Sequence, residues 1–322
     1  MGASDIAGRA GNRTPEAMTE NPPTGSPSGE AVAVRMTRKC PLIEDQVDTT
    51  NPITSASSTA SVSSSILEYR KFQGRTFHSE SYNTEYFTPN DEQQRDSIDI
   101  THHVLTLLLD GKLSIVPLKD DIQRVLDVGT GTGIWAIDFA DEHPTAEVIG
   151  TDLSPIQPNW VPPNVKFELE DASKSWTWPD NHFDLVHMRF MMGAIADWGA
   201  LFKEAFHCCK PGGFVESGEI NPTFYSDDNS IDSVDALQTW NRLVGESEKG
   251  FGRSFTGIKN DVQLLHDAGF TDVQTVDFKV PIGGWAKDEK LRQVGQYLRA
   301  SIENDLEGKI HYDGLAPYHE VA

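Results

Sequence analysis

The chain has 322 residues and a formal net charge of −22, from 27 basic and 49 acidic side chains. A charge of this sign repels nucleic acid and anionic lipid, so neither is expected as a direct partner. The three cysteines fit no zinc spacing and no disulfide framework, and no apolar run reaches the roughly 18–20 residues of a membrane helix. We expect a soluble, cytoplasmic protein that holds no metal.

Composition divides the chain near residue 65. Residues 1–65 are rich in Ser, Thr, Pro, Gly and Ala, and such a segment buries too little apolar surface to offset the entropy of ordering it. We therefore expect a disordered tail at 1–65 and one domain at 66–322. Within that domain we distinguish an entry segment with its helix (66–120), a ligand-binding core (121–220) and a helical insertion with the carboxyl-terminal part (221–322).

Beyond the tail, apolar residues alternate between helical and strand spacing. The first predicted helix is "SIDITHHVLTLLLDG", with Gly111 as its stop. Strands are predicted in "RVLDVG", "AEVIGTD", "VKFELEDA", "FDLVHMRF", "GFVESGEI" and "TDVQTVDFKVPI". Between and after them come the predicted helices "GIWAIDFADEHP", "DWGALFKEAFHCC", "SVDALQTWNRLVGES", "IKNDVQLLHDAG" and "DEKLRQVGQYLRASIENDL". This alternation predicts a parallel sheet with helices on both faces, which binds ligands at the carboxyl ends of its strands.

The loop after the first of these strands has the pattern Gly129-x-Gly131-x-Gly133, with Asp127 two residues before it. The dinucleotide fingerprint requires a third glycine where this chain has Ile134, and a P-loop would end in Lys and Ser or Thr. A carboxylate at Asp127 would also repel a pyrophosphate. A ligand with a positive centre removes this conflict, and S-adenosylmethionine carries both an ammonium and a sulfonium.

Two further acids follow the next two predicted strands. Asp152 can accept hydrogen bonds from both ribose hydroxyls, as an acid does in dinucleotide sites, and Asp171 can accept one from the adenine amine. Taken singly, each acid could instead cap a helix, and each glycine could be a turn residue. Three acids at three successive strand ends together predict a site for S-adenosylmethionine.

The motifs "VLDVGTGTG", "GTDLSP", "EDA", "FDLVHMR" and "KPGGFVE" resemble, in this order, those of class I S-adenosylmethionine-dependent methyltransferases. The longer strings "GTGTGIWAIDFADEHP", "GTDLSPIQPNWVPPN" and "AGFTDVQTVDFKVPIGGW" resemble the fungal LaeA-like methyltransferases, a family that includes regulators of secondary metabolism and enzymes of secondary-metabolite clusters. The resemblance extends from about Gly74 to about Gly308. It implies an α/β fold with the Rossmann-like, doubly wound and mostly parallel sheet of class I methyltransferases.

The resemblance also implies which positions hold the cofactor. Its methionine part would lie along Gly129, Thr130 and Gly131, with Gly133 completing the loop; its ribose and adenine would lie against Asp152, Leu153, Asp171 and Ala172; and Met188 or Arg189 would cap the site.

Catalytic residues are harder to predict, because methyl transfer needs a base only if the acceptor arrives protonated. Candidates lie near the expected sheet edge or on the entry helix, and ordinary packing or exposure is the alternative for each: His187, Glu216, Glu219, His102 and His103.

Two kinds of function fit these features. The first is an enzyme that methylates a small-molecule acceptor in fungal secondary metabolism. The alternative is a LaeA-like regulator that acts through protein partners, for which a nuclear location is also compatible.

The end of the chain departs from the family, in which a seventh, antiparallel strand comes late and lies between the fifth and sixth. Asp313, Gly314 and Pro317 are poor strand residues. We expect that last antiparallel strand to be missing or short, as in a truncated or mis-spliced product, so that the sixth strand pairs directly with the fifth or lies loosely at the edge.

Overall fold

The computed structural model describes residues 31–38, 67–79, 86–255, 260–306 and 308. Within these ranges no helix is long and apolar enough to cross a membrane. The helices are α1 (Glu92–Leu108), α2 (Ile134–Glu142), α3 (Trp198–Cys208), α4 (Asp235–Phe251), α5 (Asp261–Ala268) and α6 (Glu289–Asn304). The strands are β1 (Ala31–Arg38), β2 (Arg70–Phe72), β3 (Arg75–Phe77), β4 (Arg124–Val128), β5 (Glu147–Asp152), β6 (Val165–Leu169), β7 (Phe183–Arg189), β8 (Cys209–Tyr225) and β9 (Gln274–Pro281).

The described part of the chain forms one seven-stranded sheet, in the order β6-β5-β4-β7-β8-β1-β9, and a small hairpin of β2 and β3. The pairs β4–β5, β5–β6, β4–β7 and β7–β8 are parallel. The order reverses at β4, which is the switch point where such sheets bind ligands. This confirms the doubly wound, mostly parallel sheet that the resemblance implied.

β1 corrects two expectations from the sequence. Residues 31–38 form a strand although they lie inside the predicted tail, and this strand lies between β8 and β9, antiparallel to both. The sixth predicted strand, β9, therefore does not pair with β8, the fifth. Two strand partners supply hydrogen bonds that the local composition does not reveal. The rest of residues 1–65 lies outside the described residues. So does the region after residue 308, where the last antiparallel strand was expected to be missing or short.

Apolar side chains cover the sheet on both faces. One layer lies between the sheet and helices α3 and α5, and a second lies between the sheet and α2. A third cluster joins α1, α6 and β9. The largest fully buried side chains lie in these layers: Trp135, Phe139, Phe183, Phe202 and Phe270.

A buried arginine ties the hairpin to the two helices that lie together beside it. Arg75 donates from Nη2 to Oδ1 of Asp91, the N-cap residue of α1, at 2.8 Å, and from Nη1 to Oδ1 of Asp305 at 2.7 Å. α1 and α6 also exchange polar contacts, including one between Oγ1 of Thr101 and Oγ of Ser301 at 2.8 Å. These contacts fix α1 in the position that it takes over the carboxyl ends of β4 and β7.

Candidate functional site

The glycine loop between β4 and α2, residues 129–133, lies at the switch point of the sheet. Gly129 has a φ of +67°, and a Cβ there would lie 2.2 Å from Sδ of Met191, so any other residue would be strained and would displace the Met191 side chain. Gly131 has a φ of +59°, but its nearest neighbour would be Cδ1 of Ile98 at 3.7 Å. The loop is therefore packed tightly at its start, and at Gly131 it lies in van der Waals contact with Ile98 of α1.

Asp127, whose charge suggested a cationic ligand, lies enclosed beneath this loop. It is 2% exposed, and its Oδ1 accepts a hydrogen bond from Nδ1 of His187 at 2.7 Å. Its Oδ2 accepts one from Oγ1 of Thr130 at 2.6 Å. The ring of Trp135 stacks on His187 at 3.7 Å between centroids, with 4° between the planes. The carboxylate thus anchors the loop and places its negative charge below the loop surface.

Asp152 connects the loop to the end of β5. Its Oδ2 accepts the backbone N–H of Gly131 at 2.8 Å, and its Oδ1 accepts that of Ser154 at 3.0 Å. The side chain is only half-buried, so each oxygen keeps a lone pair for another donor. Burial raises the pKa of Asp152 to about 6 although these hydrogen bonds lower it. Of the two functions considered for Asp152, ligand binding fits this geometry and helix capping does not, because no helix follows.

Asp171 lies in a turn after β6. Its Oδ1 accepts the backbone N–H of Ser173 at 3.0 Å and the Oγ of the same residue at 2.6 Å. The adjacent Ala172 is half-buried and packs against the core on the α3 side, and Leu153 is half-buried after β5. These three residues line the same edge of the sheet as Asp152.

The two residues predicted to cap the site point to opposite faces of the sheet. The Met188 side chain is fully buried in the core on the α3 side, so of the two alternatives only Arg189 directs its side chain away from that core. Alternation along β7 turns Arg189 to the other face, where its Nη2 donates to Nδ1 of His102 at 3.0 Å. Nε2 of His102 contacts Oδ2 of Asp138 at 2.9 Å.

These contacts determine which ring nitrogen of His102 carries the proton. Because arginine has only donors, Nδ1 of His102 must accept, so Nε2 carries the proton that is donated to Asp138. Both ring nitrogens are therefore occupied. His103 lies elsewhere on α1, exposed and edge-on to Tyr297 of α6 at 4.5 Å, so it faces the helix pair and not the glycine loop.

The two glutamates of β8 lie on opposite faces of the sheet. Glu216 is 2% exposed and pairs in register with His187; it accepts hydrogen bonds from Oγ of Ser114 and from the N–H of Ile115. Glu219 is 5% exposed and accepts the backbone N–H groups of Met191 and Met192 at 3.1 and 2.9 Å.

Glu219 is electrostatically distinct from an ordinary carboxylate. Burial raises its pKa to about 8, against the opposing effect of its two hydrogen bonds. It holds the turn that carries Met191, whose sulfur packs at Gly129. Glu219 therefore links the end of β8 to the start of the glycine loop.

The entry segment supplies residues that sequence reasoning missed. Burial, with smaller contributions from Asp152 and Glu219, raises the pKa of Tyr86 to about 12, against the opposing effect of a hydrogen bond with Thr88. Asn90 donates from Nδ2 to Oγ of Ser154 at 3.2 Å. The string "SYNTEYFTPN" offered its tyrosines and asparagines as a signal, but no spacing rule relates them to strand ends that follow 60 residues later.

The residues present fit the charge and polarity of S-adenosylmethionine. Acidic side chains outnumber Arg95 and Arg189 on the loop side of α1 and at the strand ends, which favours a cationic ligand. Buried Oδ1 of Asn90 and Nε of Arg95 have no hydrogen-bond partner among the described residues. The acids are Asp99, Asp127, Asp152 and Glu216, with Asp138 on the neighbouring helix α2; Glu219 is not counted because its raised pKa of about 8 keeps it mostly protonated at neutral pH. Among all the residues that the structure describes, no group of three or more His, Cys, Asp or Glu side chains could hold a metal ion.

Comparison with known proteins places this architecture in a family. A family model described as a methyltransferase domain matches residues 100–275. Methyltransferase pytC of Aspergillus terreus is 37% identical over 255 residues, covering 78% of this chain and 77% of that protein. Secondary metabolism regulator LAE1 of Cochliobolus heterostrophus is 34% identical over 73% of this chain and 78% of that protein. Protein-methionine methyltransferase laeA of Emericella nidulans is 32% identical over 79% of this chain and 67% of that protein.

The similarity includes the whole of the glycine loop and the strand ends on either side of it, since the family model begins before β4 and ends within β9. The chain belongs to the S-adenosylmethionine-dependent methyltransferases.

Proposed function

We propose that this chain binds S-adenosylmethionine at the glycine loop and methylates a small-molecule acceptor in fungal secondary metabolism. The contact between Asp152 and the N–H of Gly131 carries the proposal, because it places a half-buried carboxylate, which can accept further hydrogen bonds, directly beside the glycine loop. The name of the relative pytC as a methyltransferase supports it.

The bound cofactor would supply a methyl group on a good leaving group, and the protein would then act mainly by holding donor and acceptor in line. His102, His187 and Glu216 all make hydrogen bonds within the protein, which favours a role for them in shaping the site. Asp127 and His187 would orient the loop under the methionine part, and Asp152 would accept hydrogen bonds from the ribose.

Ligand choice tests the cofactor assignment. We expect S-adenosylmethionine and S-adenosylhomocysteine to raise the melting temperature, and NAD at millimolar concentration to have no effect, since Ile134 replaces the third glycine and Asp127 lies below the loop. A thermal-shift assay measures this directly. Stabilisation by NAD as strong as that by the other two ligands would refute the argument from charge.

The relatives named as regulators favour a second candidate, a LaeA-like protein that acts through protein partners and not on a metabolite. Incubation of the protein with methyl-labelled donor and a fungal extract separates the two candidates. Label in a small molecule supports the enzyme of metabolite biosynthesis, and label only in protein, or nowhere, supports the regulator. An Asp152→Ala variant in parallel shows whether any label depends on the site.

A further inference from the structure

One face of α1 lies across the glycine loop. Cδ1 of Ile98 lies 3.7 Å from the position that a Cβ on Gly131 would take, and Oγ1 of Thr132 donates to Oδ1 of Asp99 at 2.7 Å. Arg95 precedes Ile98 by three residues and Asp99 by four, which places all three on the same face of the helix. Arg95 therefore lies on the side of α1 that faces the loop.

The Arg95 side chain has a donor that no described residue satisfies. Its Nε is buried and has no hydrogen-bond partner in the ranges that the structure describes. It acts on the Tyr69 hydroxyl together with Asp152: burial raises the pKa of Tyr69, Arg95 lowers it and Asp152 raises it. A buried guanidinium donor without a partner is costly, so a ligand is the natural acceptor.

Asn90 has a buried acceptor without a hydrogen-bond partner among the described residues, whereas Arg95 has a buried donor. It is 8% exposed, its Nδ2 is bonded to Ser154, and its buried Oδ1 has no partner in the same described ranges. Its position beside Ser154, two residues after Asp152, is where the ribose would lie. An unsatisfied acceptor there requires a donor, and the ribose hydroxyls are donors.

We propose that Arg95 binds the carboxylate of the cofactor's methionine portion and that Asn90 accepts a hydrogen bond from its ribose. This rests on the proposed function, since it assigns parts of the same ligand. The carboxylate is the only anion of S-adenosylmethionine, and a guanidinium is its best-matched protein partner. The entry segment and the first turns of α1 thereby form the wall of the cofactor site opposite the glycine loop.

Two ligands that contain a neutral thioether allow the assignments of Arg95 and Asn90 to be tested separately. S-adenosylhomocysteine and methylthioadenosine share the adenosine, but only the first has the amino-acid carboxylate. We expect Arg95→Met to weaken binding of S-adenosylhomocysteine by about tenfold or more and to leave that of methylthioadenosine within about twofold. We expect Asn90→Ala to weaken both ligands by a similar factor. Calorimetric titration of the full chain measures all four affinities.

Control variants keep the result interpretable. Arg299→Met removes an exposed arginine of α6 that pairs with Glu303 at 2.7 Å, and it should change neither affinity. Arg95→Lys keeps the charge and should recover part of the affinity for S-adenosylhomocysteine, which also covers the case in which the methionine variant fails to fold. Equal losses for both ligands in the Arg95 variants, or no loss, would overturn the assignment. Failure of the proposed function would appear separately, as a wild-type chain that binds neither ligand.

Discussion

Asp127 and Asp152 both end a strand beside the glycine loop, yet their side chains differ in what they can contact. Both oxygens of each acid accept a hydrogen bond, but Asp127 is enclosed, whereas Asp152 remains half-buried and can accept a further donor. Asp152 is therefore the acid of this pair that can bind a ligand directly.

Loss of the Asp152 carboxylate should weaken the cofactor site. We expect Asp152→Ala to lower the affinity for S-adenosylmethionine by about tenfold or more, since hydrogen bonds to a charged group contribute about 1.5–3 kcal/mol each. Calorimetric titration of the folded variant measures the change. An unchanged affinity would show that the ribose does not bind here.

The raised pKa of Asp152 predicts a pH dependence of binding. The free carboxyl ionises near pH 6, and the ionised form is the better acceptor for ribose hydroxyls. Affinity for S-adenosylhomocysteine should therefore rise between pH 5 and pH 7 in the wild type. Titrations at these pH values should show a flatter profile for Asp152→Asn, and an equal slope in both proteins would contradict the assignment to Asp152.

For individual residues, the sequence predicted which side chains belong to the candidate site better than it predicted what those side chains contact. The three acids and three glycines were found from spacing, because strand ends and loops have local signatures. The contact between Asp127 and His187 joins residues 60 positions apart, and it follows from strand pairing that no local pattern reveals. Met188 and Arg189 could not be told apart without knowing which face of β7 turns toward α1.

Among the secondary-structure elements, β8 and the turn after β7 are coupled through one buried carboxyl. Glu219 binds the N–H groups of Met191 and Met192, and Met191 packs at Gly129. A change in the charge of Glu219 therefore reaches the glycine loop through one turn.

The raised pKa of Glu219 predicts the direction in which the stability of the protein changes with pH. Its folded pKa of about 8 exceeds the ordinary value of 4.5, so the folded state holds the proton more tightly. By linkage, its stabilising contribution is complete below about pH 4.5 and is lost as pH rises through about 8. The melting temperature of the wild type minus that of Glu219→Gln should fall between pH 5 and pH 8.5. A difference that is constant or increases with pH would contradict the raised pKa.

The helices and parallel strands were predictable because each has its own apolar period or run. All six predicted strands of the sheet and all six predicted helices are present. The hairpin of β2 and β3 was not predicted, although Gln73 and Gly74 both have positive φ and form its two-residue turn. Three-residue strands are too short for alternation to be read from the sequence.

In the whole molecule, the amino-terminal strand is the link between β9 and the rest of the sheet. "AVAVRMTR" lies within a long segment of Ser, Thr, Pro and Gly, and its pairing partners are on β8 and β9. Val32, Val34 and Met36 alternate as in a strand, but a run this short did not stand out from the Ser-, Thr-, Pro- and Gly-rich residues around it. The strand is identified by its pairing with β8 and β9, which no local pattern reveals.

A proline in β1 should destabilise the protein. Val34 pairs in register with Ile220 on one side and Phe278 on the other, so Val34→Pro removes a backbone donor inside the sheet. We expect the free energy of unfolding to fall by about 1–3 kcal/mol. Ala17→Pro, in the predicted tail, is the matched control for thermal or urea unfolding. Equal melting of the two variants would show that β1 does not hold the sheet together.

The position of β1 also has a consequence for the order of folding during synthesis. Val34 leaves the ribosome 186 residues before Ile220 and 244 residues before Phe278, the separations of these numbers in the chain. At translation rates of about 5–20 residues per second, it waits about 10–40 s for its first partner. The strands β4 to β7 can pair during that interval, since all of their partners have by then been made. Among the described strands, β1 is thus made first, yet it can join the sheet only after β8 and β9 have been made.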